Sequence, residues 1–535
     1  MFDPLYQNYA SNRYCVTAAK GMVSTSNALA SSAGLEILKK GGNAVDAAIA
    51  TAATLTVVEP TSNGLGSDAF ALVWMKDHLY GLNASGPAPK NISIEKVNSL
   101  GYRDKMPTYG WIPVTVPGAP KAWASLSQRF GKLTLEECLE PAIRYAKEGY
   151  PVSPMLSRLF ANATAKYQKV LKDKMFDEWF RVFTKNGDAY QFGDIIKLPD
   201  HARSLELIAK TNAQAFYQGE IAKAMVKQSQ RDGGFLELED LADFDVKWVE
   251  PISVNYRGYD IWEIPPNGQG IVALMALNIL KEFKFGQKDD PNAIHQQFEA
   301  MKMAFADGMK YVSDPNFTKL DYHHLIDPNR GASRANEIDD HAHDPKVKEL
   351  PKSGTVYLCA ADSEGNMVSY IQSNYMDFGS GIVVEGYGVA LQNRGADFSL
   401  DPSHYNALMP QKRTYHTIIP GFITKNNKAV AAFGVMGAYM QPQGHVQVVT
   451  NLLDYHMNPQ MALDAYRWQW LNGKKFVVEP SFPTDIIEIL RKKGHEIEIA
   501  KDRISFGRGQ IIWRLDNGVL VGGCESRTDS NIACY

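Results

Sequence analysis

The chain has 535 residues, 45% of them hydrophobic and 21% charged, which is enough apolar material for a large buried core. Lys and Arg total 56 against 59 Asp and Glu, a formal net charge of -3 with no basic block, and that argues against a partner with a phosphate backbone. No run approaches the roughly 18 apolar residues of a membrane helix, and Met1 to Tyr6 lacks the basic and apolar regions of a secretory signal.

In chain order, Asn27 to Lys40 predicts a helix through Leu29, Ala33, Leu35, Ile37 and Leu38, stopped by Gly41-Gly42. Asn43 caps a second helix, Ala44 to Val58, whose small residues allow close packing and which ends before Pro60. Thr61 to Asp68 is a glycine-rich turn leading into a strand, Ala69 to Met75. Its helix-loop-strand order and lack of GK[ST] predict a tight structural or substrate-adjacent turn rather than a phosphate cradle. From about Ala119 to Trp248 the period is helical, most clearly in Lys132 to Glu148. A strand, Tyr259 to Ile264, then meets Pro265 to Gly270 and a helix from Ile271 to Phe283. The third glycine of a dinucleotide fingerprint is missing there, so no nucleotide cofactor is expected. Asn292 to Val312 reads as a helix whose Glu299, Lys302 and Asp307 belong to a solvated or salt-bridged face. Asp339 to Asp344 has metal-ligating residue types, but its polar, loop-like context predicts a solvated connector.

Downstream the pattern becomes strand-rich: Thr355 to Ala361, a turn at Asp362 to Asn366, Met367 to Ser373, Gly388 to Gln392, Thr417 to Ile423 and Ala429 to Phe433, with a helix from His445 to Tyr455. Helices gathered first and strands later, without a linker, predict one body with a sheet core under helical layers. Cys15, Cys138, Cys359, Cys524 and Cys534 are scattered and have no CxxC spacing. They point to a reducing compartment, the cytoplasm, and away from a disulfide or zinc framework.

Gly354-Thr355 opens the first of the later strands. Alone, the pair marks only a β-branched residue entering a pleated surface. Freed by cleavage, Thr355 would carry its own general base, because an α-amine with a pKa near neutrality can accept the proton of its own hydroxyl.

Taken together and in order, Gly41 to Ala48, Val116 to Pro120, the Thr355 region, Gly379-Ser-Gly381, Asn393 to Ser399 and Lys412-Arg413 resemble the γ-glutamyltransferase family of N-terminal nucleophile hydrolases over nearly the whole chain. The resemblance implies an α+β fold, a four-layer αββα sandwich. It further implies self-cleavage between Gly354 and Thr355 and a heterodimer of residues 1–354 and 355–535 folded as one body, with further oligomerisation left open. A small-molecule amide would be the substrate, and neither metal nor cofactor is called for. By position, Thr355 would be the nucleophile, Ser373 the hydroxyl that orients it, and Gly437-Ala438 the backbone N–H donors to the tetrahedral oxyanion. Alanine at the second place keeps its N–H, provided its backbone angle is one alanine can adopt.

The departures from the family concern recognition. The run Asn83 to Pro89 lacks the arginine expected for a substrate α-carboxylate. Arg394 replaces the Gln or Glu that meets the α-amine, while its partner acid remains as Asp397. A serine pair becomes His416-Thr417, and an asparagine near the nucleophile becomes Tyr375. These residues would line the substrate site, with Arg394 and His416 receiving an anionic acyl group, or else Arg394 would simply pair with Asp397. The leading expectation is cleavage of γ-glutamyl amides such as glutathione, with transfer to water or an amine. The alternatives are an acylase for oxamate, glutaryl or cephalosporin-type amides, and an uncleaved relative that only binds ligands.

Overall fold

The computed structural model describes residues 12–319, 321–345, 347, 350 and 354–535; the stretch Met1 to Tyr6 lies outside them. Two seven-stranded antiparallel sheets stack at the centre. The first runs in the order Val16–Ala18, Leu520–Cys524, Arg508–Arg514, Lys428–Met436, Gly421–Lys425, Tyr259–Glu263, Ile252–Tyr256. The second runs Asn531–Cys534, Gly21–Thr25, Val356–Asp362, Met367–Ser373, Asp68–Met75, His78–Ala84, Lys247–Val249.

Central strands of the stack bury both faces, which is why they read in sequence as apolar runs rather than clean alternations. On Asp68–Met75, Phe70, Leu72 and Trp74 pack between the sheets against Ile264, Phe422 and Met436. Ala69, Ala71 and Val73 face the other way, onto the helices Ala28–Lys39, Ala44–Val58 and Ala119–Phe130. The opposite outer face is covered by Gly270–Leu280, Pro291–Tyr311 and Met440–Leu453. Helix, sheet, sheet, helix is the expected αββα order.

Local chemistry explains the boundaries. Asn43 accepts from the N–H groups of Val45 and Asp46, and Asp46 returns a bond to the Asn43 N–H, closing a capping box ahead of the fully buried Ala44–Val58 helix. The strand expected over Thr417 to Ile423 is instead Gly421–Lys425. Pro420 has no N–H to give a ladder, and His416 pairs with Gly268 instead. The helix expected from His445 begins at Met440, because Pro442 falls in its first turn, where the missing N–H is tolerated.

The structure makes two expectations more exact. Strands are shared between the two parts of the chain, the second sheet taking four of its seven from upstream of residue 355. Of the two alternatives for the Glu299 and Lys302 face, the salt-bridged one holds: they form a buried ion pair at 2.5 Å. They are covered by a three-stranded sheet, Trp468–Asn472, Lys475–Val478 and Glu496–Ile499, and by the helix Thr484–Lys492. Asp307 is salt-bridged to Arg330 and Arg334 as expected.

Candidate active site

Thr355 sits fully buried at the head of the central strand Val356–Asp362. That strand is flanked by Met367–Ser373 in a register that pairs Val356 with Gln372, which brings Ser373 beside Thr355. The Thr355 Oγ1 lies 3.0 Å from Ser373 Oγ and 2.7 Å from the carbonyl oxygen of Gly354. Ser373 donates to the same carbonyl at 3.1 Å and accepts from the Tyr375 N–H at 2.8 Å. The bond between Gly354 and Thr355 is therefore bracketed by two hydroxyls, and its carbonyl is polarised.

From the facing sheet, Lys428–Met436 ends at Gly437 and Ala438, directly ahead of the 14-residue helix Met440–Leu453. Backbone N–H groups at such a helix start favour developing negative charge. Ala438 takes φ 51, a left-handed angle that alanine adopts at a modest energetic penalty. Gly437 and Gly354 line one cavity of about 280 Å³ together with Thr61, Ser62 and Gln469.

Arg394 opens a short 3-10 turn, Arg394–Asp397, and is 1% exposed. Its guanidinium lies 4.1 Å from the centre of the Tyr375 ring, and Nη1 donates to Thr417 Oγ1 at 2.7 Å. Nη1 is 3.6 Å from Asp397 Oδ2, a single loose contact rather than a fork. Nε and Nη2 are buried with no hydrogen-bond partner among the described residues. Asp397 Oδ1 already accepts from Tyr375 at 2.6 Å and Tyr439 at 3.2 Å. Burial lifts the Asp397 carboxyl to about 6 even though Arg394 and the two phenols pull it down. Burial also holds both phenols well above their usual range, so they remain donors.

His416 lies in this region but has both ring nitrogens engaged. Nε2 meets Asp68 Oδ2 at 2.9 Å, and Nδ1 accepts from the Ile418 N–H at 3.4 Å. The turn Pro265 to Gly270 braces the same segment. Gln269 donates to the carbonyls of Thr417 at 2.6 Å and Ala438 at 2.8 Å, and Tyr415 donates to Gln269 Oε1. Asn267 accepts from Asn83 and donates to the Thr414 carbonyl. An arginine does reach the Asn83 to Pro89 run, but from elsewhere in the chain: Arg413 Nε donates to the Ser85 carbonyl at 2.8 Å. Sequence reasoning missed Asp68, Gln269, Tyr439 and this placement of Arg413. The glycine-rich turn, the Pro265 to Gly270 turn and the Lys412-Arg413 pair contain Asp68, Gln269 and Arg413, but nothing in sequence pointed to Tyr439.

Among the described residues one group offers three metal-ligand types within 4.8 Å of one another: His295, Glu299 and His495. Lys302 already neutralises Glu299, and the two imidazoles bond each other at 2.8 Å. The group works as a buried network that holds the Asp339 to Asp344 connector, through His295 Nε2 to the Asp339 carbonyl and Lys302 to the His343 carbonyl.

The sequence model of the gamma-glutamyltranspeptidase family matches residues 30–535. The chain belongs to that family. As a γ-glutamyltranspeptidase-family protein it is an enzyme of the N-terminal nucleophile hydrolase type. It is similar to the crystal structure of cephalosporin acylase from Bacillus halodurans, with 54% identity, TM-score 0.97 and coverage of 100% of this chain and 99% of that one. It is 35% identical to the glutathione hydrolase-like YwrD proenzyme of Bacillus subtilis (strain 168), over 96% of this chain and 98% of that protein. It is 31% identical to the oxamate amidohydrolase proenzyme of Klebsiella pneumoniae, again over 96% and 98%.

Proposed function

We propose that the protein is a self-processing amidohydrolase whose preferred acyl group ends in a carboxylate, such as the monoamide of a short dicarboxylic acid. The Thr355 hydroxyl attacks the Gly354 carbonyl carbon, the Gly354–Thr355 peptide bond yields an ester, and water releases residues 1–354 with a free amine on Thr355. That amine then takes the hydroxyl proton as Thr355 attacks a substrate amide. The amine half leaves with the proton, and water resolves the acyl-enzyme. Gly437 and Ala438 supply N–H donors to the oxyanion, each such donor being worth about 2.7–4 kcal/mol in acyl transfer. Ser373 orients the nucleophile.

The observation that carries the acyl preference is Arg394, buried with Nε and Nη2 unpartnered among the described residues. An arginine left in that state is costly unless something fills the fork, and a carboxylate fits it bidentately. Asp397 gives only Oδ1 to the two phenols, but its Oδ2 lies 3.6 Å from Arg394 Nη1, where the guanidinium would repel an α-ammonium. The names of the acylase and oxamate relatives agree with such a preference, whereas the glutathione hydrolase-like relative favours a γ-glutamyl group.

Initial rates on glutaryl- and γ-glutamyl-p-nitroanilide decide between them. Glutaryl is expected to be faster, and clear preference for γ-glutamyl would overturn the acyl assignment. On a denaturing gel, a single band persisting near 59 kDa would instead favour an uncleaved binding protein.

A further inference from the structure

The glycine-rich turn at Thr61 to Asp68 delivers a carboxyl group for which acyl transfer by Thr355 has no use. Asp68 pairs with Ser373 across adjacent antiparallel strands. Residues directly opposite in such a pair point to the same face, so Asp68 stands in the row that begins with Thr355 and Ser373. It is fully buried. Oδ1 accepts from the Gly86 N–H at 3.3 Å, and Oδ2 meets His416 Nε2 at 2.9 Å. Because the Ile418 N–H can only donate to His416 Nδ1, the ring proton sits on Nε2 and is directed at Asp68.

The other charges around Asp68 come from separate segments. Arg394 donates to Thr417, next in the chain to the His416 that Asp68 holds, and so acts on Asp68 from close by, while Arg413 acts from the segment that holds Ser85. Asp314 accepts from the Arg413 N–H, Asp397 lies against Arg394, and the Tyr217 phenol also senses the Asp68 carboxyl. His416 is kept neutral by burial and by Arg394. The Arg394 fork is therefore counterbalanced by two acids, and of these two it is Asp397 that touches it.

We propose that Asp68 is a specificity-determining positioning residue: its charge sets how strongly Arg394 attracts the carboxylate of an anionic acyl group, and its protonation strengthens that attraction. This rests on Arg394 being the receptor of the acyl carboxylate. Burial raises the Asp68 carboxyl to about 7 against the pull of Arg394, the Gly86 N–H and Arg413, so the change falls within ordinary working pH. Between that value and about 6, where Asp397 itself titrates, Arg394 is opposed by Asp397 alone. Above about 7, a second buried negative charge competes with the substrate.

The test compares glutaryl-p-nitroanilide with pentanoyl-p-nitroanilide, which has the same chain length without the charge, on the processed enzyme from pH 6.5 to 8.5. The Thr355 amine titrates identically for both, so it cancels from the ratio of their kcat/KM values. The expected ratio falls about tenfold across this range, as one nearby buried charge appears. In Asp68→Asn, first shown to be cleaved into two fragments, the ratio is expected to stay high and level. The proposal is overturned if the wild-type ratio is flat, a result that needs no variant, or if the fall near pH 7 survives in Asp68→Asn. Preference for the anionic substrate without pH dependence sinks this inference alone, whereas no preference at any pH sinks the Arg394 assignment beneath it.

Discussion

Thr355 and Ser373 share one carbonyl between two hydroxyls, and only the Thr355 hydroxyl is assigned the attack on it. Thr355→Ala is expected to leave a single uncut, inactive chain on a denaturing gel. Thr355→Ser keeps a hydroxyl and should cut more slowly; normal cutting in both variants would mean the nucleophile lies elsewhere. Arg394→Gln should lower kcat/KM for glutaryl-p-nitroanilide by roughly 10–100-fold, the loss of a charge-assisted pair, and improve γ-glutamyl-p-nitroanilide. Unchanged kinetics on both would place Arg394 away from the ligand. At this scale family order groups Thr355, Ser373, Tyr375, Arg394, Asp397 and Thr417, and these form a chain of contacts in the structure. It does not show how they point. Position groups His416 with Arg394, yet its two nitrogens are taken by Asp68 and Ile418. The Asp397 phenols come partly from Tyr439, more than forty residues away along the chain.

Among the elements, short-range chemistry is the legible part. The Asn43 cap, the Gly41 stop and the hairpin closing at Asp362 to Asn366 are all local, and all appear as expected. Beyond residue 455 the sequence is far less legible, since the strands there are short and gain their stability from distant partners. Glu525 is the clearest case. It meets Arg467 at 2.9 Å, Arg527 at 2.6 Å and the Gly509 N–H at 2.9 Å. Burial alone would raise its carboxyl, but the two guanidiniums bring it down to about 2. A carboxylate depressed on folding stabilises the fold above its unfolded pKa, near 4.3, and loses that contribution as pH falls toward 2. Glu525→Gln leaves the buried Arg467 without its carboxylate partner, while Arg527 keeps Glu479, and should cost about 3–5 kcal/mol at pH 7 in chemical denaturation. The gap from wild type should narrow between pH 4 and pH 2, and a gap independent of pH would refute the assignment.

In the whole molecule, residues 355–535 supply four strands of the first sheet and three of the second. Upstream strands are paired with them in both. Cutting at Gly354–Thr355 would leave two chains whose hydrogen-bond ladders are interleaved rather than docked. The cut protein is therefore expected to run as one species in gel filtration and to unfold in one calorimetric transition. Separately expressed fragments should fail to regain activity on mixing; ready reconstitution would point to two independently folded halves.

Gly354 also forms part of the wall of the cavity beside Gly437. If Thr355 is the nucleophile in both reactions, the peptide being cut occupies ground that an amide substrate must later enter. Every molecule would be its own first customer, using one turnover on itself before serving any other. Freshly synthesised protein should then show a lag in product formation whose length matches the disappearance of the uncut band and does not shorten when substrate concentration is raised.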